Sequence, residues 1–319
     1  MNKEKKRIKA EIREKDERNT IDYYFNKLVW AGSEAEKSIL GYCKIIDNIS
    51  IKKLNVFREE CFSKGNFFIY ATGNVSEKEI DELKKRVEKL NFQENKAKKT
   101  NTVTVNENFL NRECILNIRN NYWHYIKIGF DIDCTEYSGG VIDLLYAVLF
   151  EGDKALLHNY LSEDNPIIYS YESTLEQYDN VGNIHFKFEI EEAKLEDAIR
   201  IIVELSKCFE RKVLLLVGLL NDIKSGQFNF DVNLKAEICN AEMESDRPED
   251  LNWSMAYYNH ILKTDKLDYS DEYYGRFKNI TKENVIEAAK EIFKVSNMIV
   301  AIKGNKNKIK TGEIKRILK

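Results

Sequence analysis

The sequence predicts an α+β protein built from a duplicated module, with helices packed on a mostly antiparallel sheet and the first copy incomplete. Three observations lead there. First, residues 48–74 (NISIKKLNVFREECFSKGNFFIYATGN) align without a gap with residues 279–305 (NITKENVIEAAKEIFKVSNMIVAIKGN), 231 positions further on. Asn48, Ile49, Glu60, Phe62, Asn66, Gly73 and Asn74 recur as Asn279, Ile280, Glu291, Phe293, Asn297, Gly304 and Asn305, which points to duplication. Second, strand-like segments cluster apart from helical ones instead of alternating strictly with them, which favours helices on one face of an antiparallel sheet. Third, the only prolines are Pro166 and Pro248, so little interrupts long helices.

In chain order, residues 3–18 are dominated by Lys, Arg and Glu, with Ile8 and Ile12 one helical turn apart. That predicts a charged helix with a narrow apolar seam. Residues 20–31 continue as helix, with Asn19 or Thr20 as cap and Ile21, Phe25, Leu28 and Val29 on one face. Each copy of the repeat reads as an N-cap hydroxyl (Ser50, Thr281), an amphipathic helix, an apolar strand (Phe67–Ala71, Met298–Ile302) and a Gly-Asn turn. Ile80, Leu83, Val87 and Leu90 mark a further helix. The polar stretch 91–102 is the best linker. The expected modules are therefore 1–98 and 102–319.

The second module opens with Cys114–Arg119 and Trp123–Asp133, which read as a hairpin. Helices follow over Val141–Phe150 and Lys154–Leu161, then strands over Ile167–Tyr178 and Asn183–Ile190. Lys194–Cys208, Val213–Ser245 and Leu251–Lys263 are helical patterns, and the second repeat closes the module. The basic tail from Lys303 to Lys319 contains Ile309, Ile314, Ile317 and Leu318, the pattern of a short amphipathic helix.

Composition excludes several classes. The net charge of −3 argues against a dedicated nucleic-acid binder. No apolar run reaches the ~18 residues of a membrane span. The N-terminus has no apolar core of a signal peptide. Six scattered cysteines without a C-x-x-C pair read as reduced thiols in a cytoplasmic protein. There is no G-x-S-x-G and no phosphate-binding glycine loop. The four histidines, His124, His158, His185 and His260, lie far apart. His124 and His185 read as ordinary strand residues. Asp131, Asp133 and Glu136 with Cys134 form an acidic strand end that reads as a solvated loop.

The repeat also acts as a ruler. If both copies descend from one unit, the first lacks roughly 130 residues at its front. The order of elements resembles the insulinase/pitrilysin-type zinc peptidases, which include the mitochondrial processing peptidases. Three passages carry the resemblance. One is Glu4–Glu11 (EKKRIKAE) leading to LVWAGSEAEKSILG at Leu28–Gly41, where Ser38 replaces the family's proline. Another is the 48–74 unit with its Gly-Asn exit. The third is VIDLLYAVLFEGDKALLHNYLSEDNPIIYSYES at Val141–Ser173.

The resemblance implies a zinc site built from a His-x-x-Glu-His helix and a downstream glutamate. Glu11 matches that downstream ligand and Glu4 its acidic neighbour, but the His-x-x-Glu-His motif is absent. It also implies an Arg and a Tyr, seven residues apart, that hold substrate; Tyr169 matches the Tyr, and Ser162 stands at the Arg position. Without the resemblance, Glu4 and Glu11 read as surface glutamates and Tyr169 as a sheet-packing residue. The expectation is a catalytically inactive, peptidase-like chain acting as a non-catalytic or peptide-binding partner of a homologous subunit, or self-associating. It holds no cofactor alone. The alternative is one part of a split zinc endopeptidase, with Glu11 completing a zinc site whose histidines are on another chain.

Overall fold

In the computed structural model of the chain, the described residues are 1–63, 68–90, 112–117, 122–152, 155–178, 180–211, 230–256, 277 and 279–318. The chain forms two compact units, one of residues 1–16, 38–102 and 239–273, the other of 17–37, 103–238 and 274–319. Segment 17–37, expected in the first module, belongs to the second unit, and 239–273 belongs to the first. The expectations for the 91–102 linker, for 213–229 and for 257–263 lie outside the described residues.

The first unit is helical among the described residues. Helix α1 (Asn2–Lys15) stops at Asp16, which turns left-handed with φ 43°. Its Ile8 and Ile12 are only half-buried. The next helix of the chain, α2 (Ile21–Val29), lies in the other unit. Helix α3 (Cys43–Asn48) is tied to α1 by Lys5 Nζ on the Asp47 carbonyl at 2.8 Å and by the Lys9–Asp47 ion pair. Helix α4 (Ile51–Cys61) starts at Ser50, whose hydroxyl accepts from Lys53 N–H. Helix α5 (Glu77–Glu88) starts in a capping box of Ser76 and Glu79. The strand expected over Phe67–Ala71 does not form in its described part: residues 68–72 have no regular structure.

Among the described residues, the second unit is built on five strands: β1 (Glu113–Asn117), β2 (Trp123–Asp133), β3 (Glu172–Gln177), β4 (Val181–Glu191) and β5 (Met298–Gly304), in the order β1-β5-β2-β4-β3. Only β1 and β5 are parallel. The expected β1–β2 hairpin is therefore corrected: β5 enters between them, pairing parallel with β1 and antiparallel with β2. The reason is chemical. β5 reads MIVAIKG and is buried on both faces over Met298–Ile302, so it needs a central place.

One face of the sheet carries Ile126, Ile128, Phe130, Ile184, Phe186, Phe188, Val300 and Ile302 into the main core. Against it pack α6 (Gly139–Phe150), α8 (Leu195–Arg211), and, after α9 (Phe230–Ser245) and α10 (Pro248–Ala256), α11 (Lys282–Ile292). Between α6 and α8 runs α7 (Leu156–His158), continued by a π turn over Asn159–Asp164. The basic tail ends in α12 (Thr311–Ile317), whose Ile314 and Ile317 are buried in the same core.

Helices were expected on one face only. The other face is covered too, by α2. Its Ile21, Phe25 and Val29, with Trp30, make a second core with Ile299 and Ala301. Thr20 caps α2 through Tyr23 N–H at 3.2 Å. Such a stripe gains about 1.5–3 kcal/mol per large side chain only where it finds an apolar bed. β5 supplies that bed, which explains why 17–37 joins the sheet-bearing unit.

Candidate functional site

The two sides of the sheet differ in chemistry. On β2 and β4, strict alternation sends the isoleucines and phenylalanines to the main core and Lys127, Asp131, Asn183, His185 and Lys187 to the face under α2. These polar side chains form chains of contacts. Arg112 pairs with Asp131, both nearly fully buried. Asn183 Nδ2 donates to Asp131 Oδ1 at 2.9 Å, and Asn183 Oδ1 faces His185 Nδ1 at 3.1 Å. Burial pushes the Asp131 carboxyl up, opposed by Arg112 and Asn183. Burial pulls His185 down to about 3, with the charges of Lys127 and Lys187 adding to it and Asp22 opposing. Asp22, on the first turn of α2, bridges Lys127 at 2.8 Å and Lys187 at 3.5 Å. Burial raises its pKa, but the hydrogen bonds and charges of Lys127 and Lys187 together outweigh that and leave it lowered.

At one end of this face lies a cavity of about 840 Å³. Its walls come from the π turn (Ser162), the irregular segment Pro166–Tyr171, the starts of α2 and β2, and β4 residues including Lys187 and Glu189. Three side chains in and beside the walls are held in place. Tyr171 turns inward, donating to the Phe150 carbonyl at 3.0 Å, and burial raises its pKa. Tyr146 and Ser173 share a hydroxyl pair at 2.9 Å. Tyr169 does the opposite: it is 93% exposed, at the rim. It is therefore not the sheet-packing residue that the residues alone suggest, and its hydroxyl has no hydrogen-bond partner among the described residues. The strand expected over Ile167–Tyr178 begins only at Glu172, so Ile167–Tyr171 are left to shape the cavity. Beside the cavity runs β3, an edge of the sheet.

The structure thus brings Ser162 and Tyr169 to one cavity. It places Glu4 and Glu11 on exposed positions of α1, in the first unit, with Glu4 paired to Arg7 at 2.9 Å. Among the described residues no group of three or more His, Cys, Asp or Glu is placed to hold a metal. A zinc site needs about three or four protein ligands, so the described residues of this chain do not fit zinc by themselves. The acidic strand end is likewise no cation site: Asp131 is held by Arg112, and Asp133 accepts from Thr135 N–H and hydroxyl at 2.9 and 2.6 Å. His124 and His185 are buried strand residues.

The sequence alone names neither the buried contacts of Arg112 and Asn183 with Asp131 nor the pairing of Lys127 with Asp22 as a polar layer. Its signal was present: VGNIHFKFEIE alternates, and the non-core positions begin Asn183, His185, Lys187. Polar residues in step on one face mark a side that does not carry the main core.

The family described as the peptidase M16 inactive domain matches residues 48–207, just over half of the chain. No curated protein sequence matches. Among solved structures, a protease from Helicobacter pylori is 17% identical with a TM-score of 0.72, over 94% of this chain and 71% of that one. A peptidase M16 inactive domain from Pseudomonas fluorescens is 13% identical with a TM-score of 0.72, over 95% and 70%. A chain of complex III2 from Candida albicans is 11% identical with a TM-score of 0.73, over 99% and 74%. At these identities the likeness is one of fold.

Proposed function

The chain belongs to the peptidase M16 inactive-domain family, and from that premise we propose that it is a non-catalytic, peptide-binding partner subunit. The observation that carries the reading is the cavity: Ser162 and Tyr169, the two positions that resemble the family's substrate clamp, line one groove beside an open sheet edge. An extended peptide would pair along β3 through its main chain and lay a side chain against the exposed Tyr169 ring. Ser162 offers a hydroxyl where an Arg would offer a charged fork, so this clamp holds peptide without drawing on its charge. The match of a complex III2 chain to the fold supports a place in an assembly with another protein. The free thiols of Cys43, Cys114, Cys134 and Cys239 support a reducing, cytoplasmic setting, and among the described residues no helix is long and apolar enough to cross a membrane.

The test is fluorescence anisotropy with an unstructured, labelled peptide library, alongside zinc content and cleavage assays on the same protein. Tyr169→Ala should weaken binding about tenfold. Equal binding by wild type and Tyr169→Ala, or stoichiometric zinc with chelator-sensitive cleavage, refutes the reading.

A second reading is favoured by one observation, the exposure of Glu11 on α1. There, the chain is one part of a split peptidase, and Glu11 joins zinc ligands carried by another polypeptide. Glu11→Gln should then abolish cleavage by the reconstituted pair, and unchanged cleavage refutes it.

A further inference from the structure

β3 and β4 differ in length, and the difference falls at the cavity. β4 runs from Val181 to Glu191, whereas β3 begins at Glu172, whose partner is Lys187. Beyond Lys187, among the described residues, Phe188–Glu191 pair with β2 on one side and with no strand on the other. Two hydrogen bonds tell which main-chain groups face the uncovered side. Glu192 N–H donates to the Tyr122 carbonyl at 3.3 Å, towards β2, and Tyr178 N–H to the Val181 carbonyl at 2.8 Å, on the side of β3. Main-chain groups alternate between the two sides of a strand, so the even-numbered residues of β4 bond to β2 and the odd-numbered ones face β3. Glu189 and Glu191 therefore each turn an N–H and a C=O towards the line that β3 leaves empty. None of these main-chain groups has a hydrogen-bond partner among the described residues.

The gap is built into the fold. The segment that would fill it, Ile167–Tyr171, is held by other partners. Ile167 and Ile168 N–H both turn to the Leu161 carbonyl of the π turn, at 3.1 and 3.3 Å. Ile168 is buried in the main core, and the Tyr171 hydroxyl is fixed on the Phe150 carbonyl. Pro166 has no N–H to offer a strand. What borders Glu189 and Glu191 instead is the cavity, with Ser162 and Pro166–Tyr171 also in its walls.

We propose that the cavity holds part of the peptide as an inner strand, in line with β3 and antiparallel to β4. An N–H and a C=O on each of two alternate residues form a pattern that another extended main chain matches. The peptide residues opposite Glu189 and Glu191 exchange both bonds with them. The stretch Phe188–Glu191 takes about four peptide residues, or ~13 Å of strand. The proposal rests on the peptide-binding reading and adds these inner groups to the outer side of β3, which a longer peptide reaches beyond the cavity. Because the pairing groups are main-chain, the inner strand selects against proline at the two bonded positions and for no particular side chain.

The experiment uses the full chain and a fluorescein-labelled octapeptide of alternating Thr and Ala. Amide hydrogen exchange is read at single-residue resolution with and without the peptide. At saturation the Glu189 and Glu191 amides should exchange about tenfold more slowly or less. Ser173 and Leu175, whose main-chain groups point away from β4, report the outer side of β3. Glu191→Pro removes one cavity-facing donor and spares the ladder to β2, so anisotropy should show binding about tenfold weaker. Should Glu191→Pro fail to fold, the exchange pattern of the wild type decides alone. Protection of Ser173 and Leu175 without Glu189 and Glu191, or equal binding by a folded Glu191→Pro, overturns the inner strand and leaves the peptide-binding reading standing. An octapeptide that fails to bind where the unstructured peptide library binds does the same. Failure of the octapeptide and the library together overturns both.

Discussion

Replacing Gly129 by Ala tests how α2 is seated. A Cβ on Gly129 would overlap the Cζ of Phe25 and sit 2.9 Å from Asn183 Oδ1 and 3.0 Å from His185 Cβ. Asn183 is held by Asp131 at 2.9 Å, so the strain must go mostly into Phe25 and the helix that carries it. Overpacking of this kind costs about 1–3 kcal/mol. Phe25 is 1% exposed, with the Lys127 ammonium 4.7 Å from its ring centre, so Phe25→Ala costs about 3–5 kcal/mol. The two changes should not add. Removing the ring vacates the space the new methyl needs, so the double variant should be more stable than the sum predicts by about 1–2 kcal/mol. The residual cost at Asn183 keeps the coupling below the full cost of Gly129→Ala. The assay is urea unfolding of the four proteins followed by far-ultraviolet circular dichroism. Additivity within about 0.5 kcal/mol would mean that Phe25 does not press on Gly129, and the seating of α2 described above would be wrong.

Asp22→Asn leaves Lys127, whose side chain is 7% exposed, without its counter-charge; a loss of about 1–3 kcal/mol in the same unfolding assay is expected, and under ~0.5 kcal/mol would refute the pairing. His185 has a folded pKa pulled down to about 3, so between that value and ~6.5 the unfolded chain binds more protons and stability falls as pH falls. Between pH 6.5 and 5.5 wild type should lose about 1 kcal/mol more than His185→Gln; parallel pH profiles of the two proteins would refute it. Tyr169→Ala should shift the melting temperature hardly at all, since a side chain 93% exposed contributes within about 0.5 kcal/mol; a shift of many degrees would mean that Tyr169 is a structural residue.

The helices of the repeat were legible because cap and amphipathic stripe are local signals: Ser50 and Thr281 cap where the sequence puts them. The strands were less so. FIYA and IVAI are equally apolar, yet only the second is a strand in the described residues, because a strand needs neighbours that its own sequence does not contain. The hairpin error has the same origin. Asn120-Asn121 looks like a turn between two strands, but pairing is decided by β5, more than 160 positions away. The candidate site was half legible. Ser162 and Tyr169 could be named by resemblance, whereas their meeting in one cavity depends on Ile167–Tyr171 leaving the sheet before β3 begins.

The groove's charges decide how it can recognise a peptide. Lys187 is engaged by Asp22 at 3.5 Å and Glu172 at 3.1 Å. Lys194 donates to the Pro166 carbonyl at 3.4 Å, and Lys303 to that of Asn19. Glu189 and Glu191 face the hydroxyls of Tyr125 and Tyr122, whose pKa values are raised: for Tyr125 by burial and then by Glu189, for Tyr122 by the hydrogen bond and charge of Glu191. With both signs present and already paired, little net field is left to select a charged side chain. Recognition then rests on main-chain pairing along β3 and contact with the Tyr169 ring, which tolerates many sequences. Raising salt from about 50 to 500 mM should therefore change peptide affinity less than about threefold. A loss of tenfold or more for charged peptides alone would mean that the lysines leave their partners to bind substrate, and that the groove selects by charge after all.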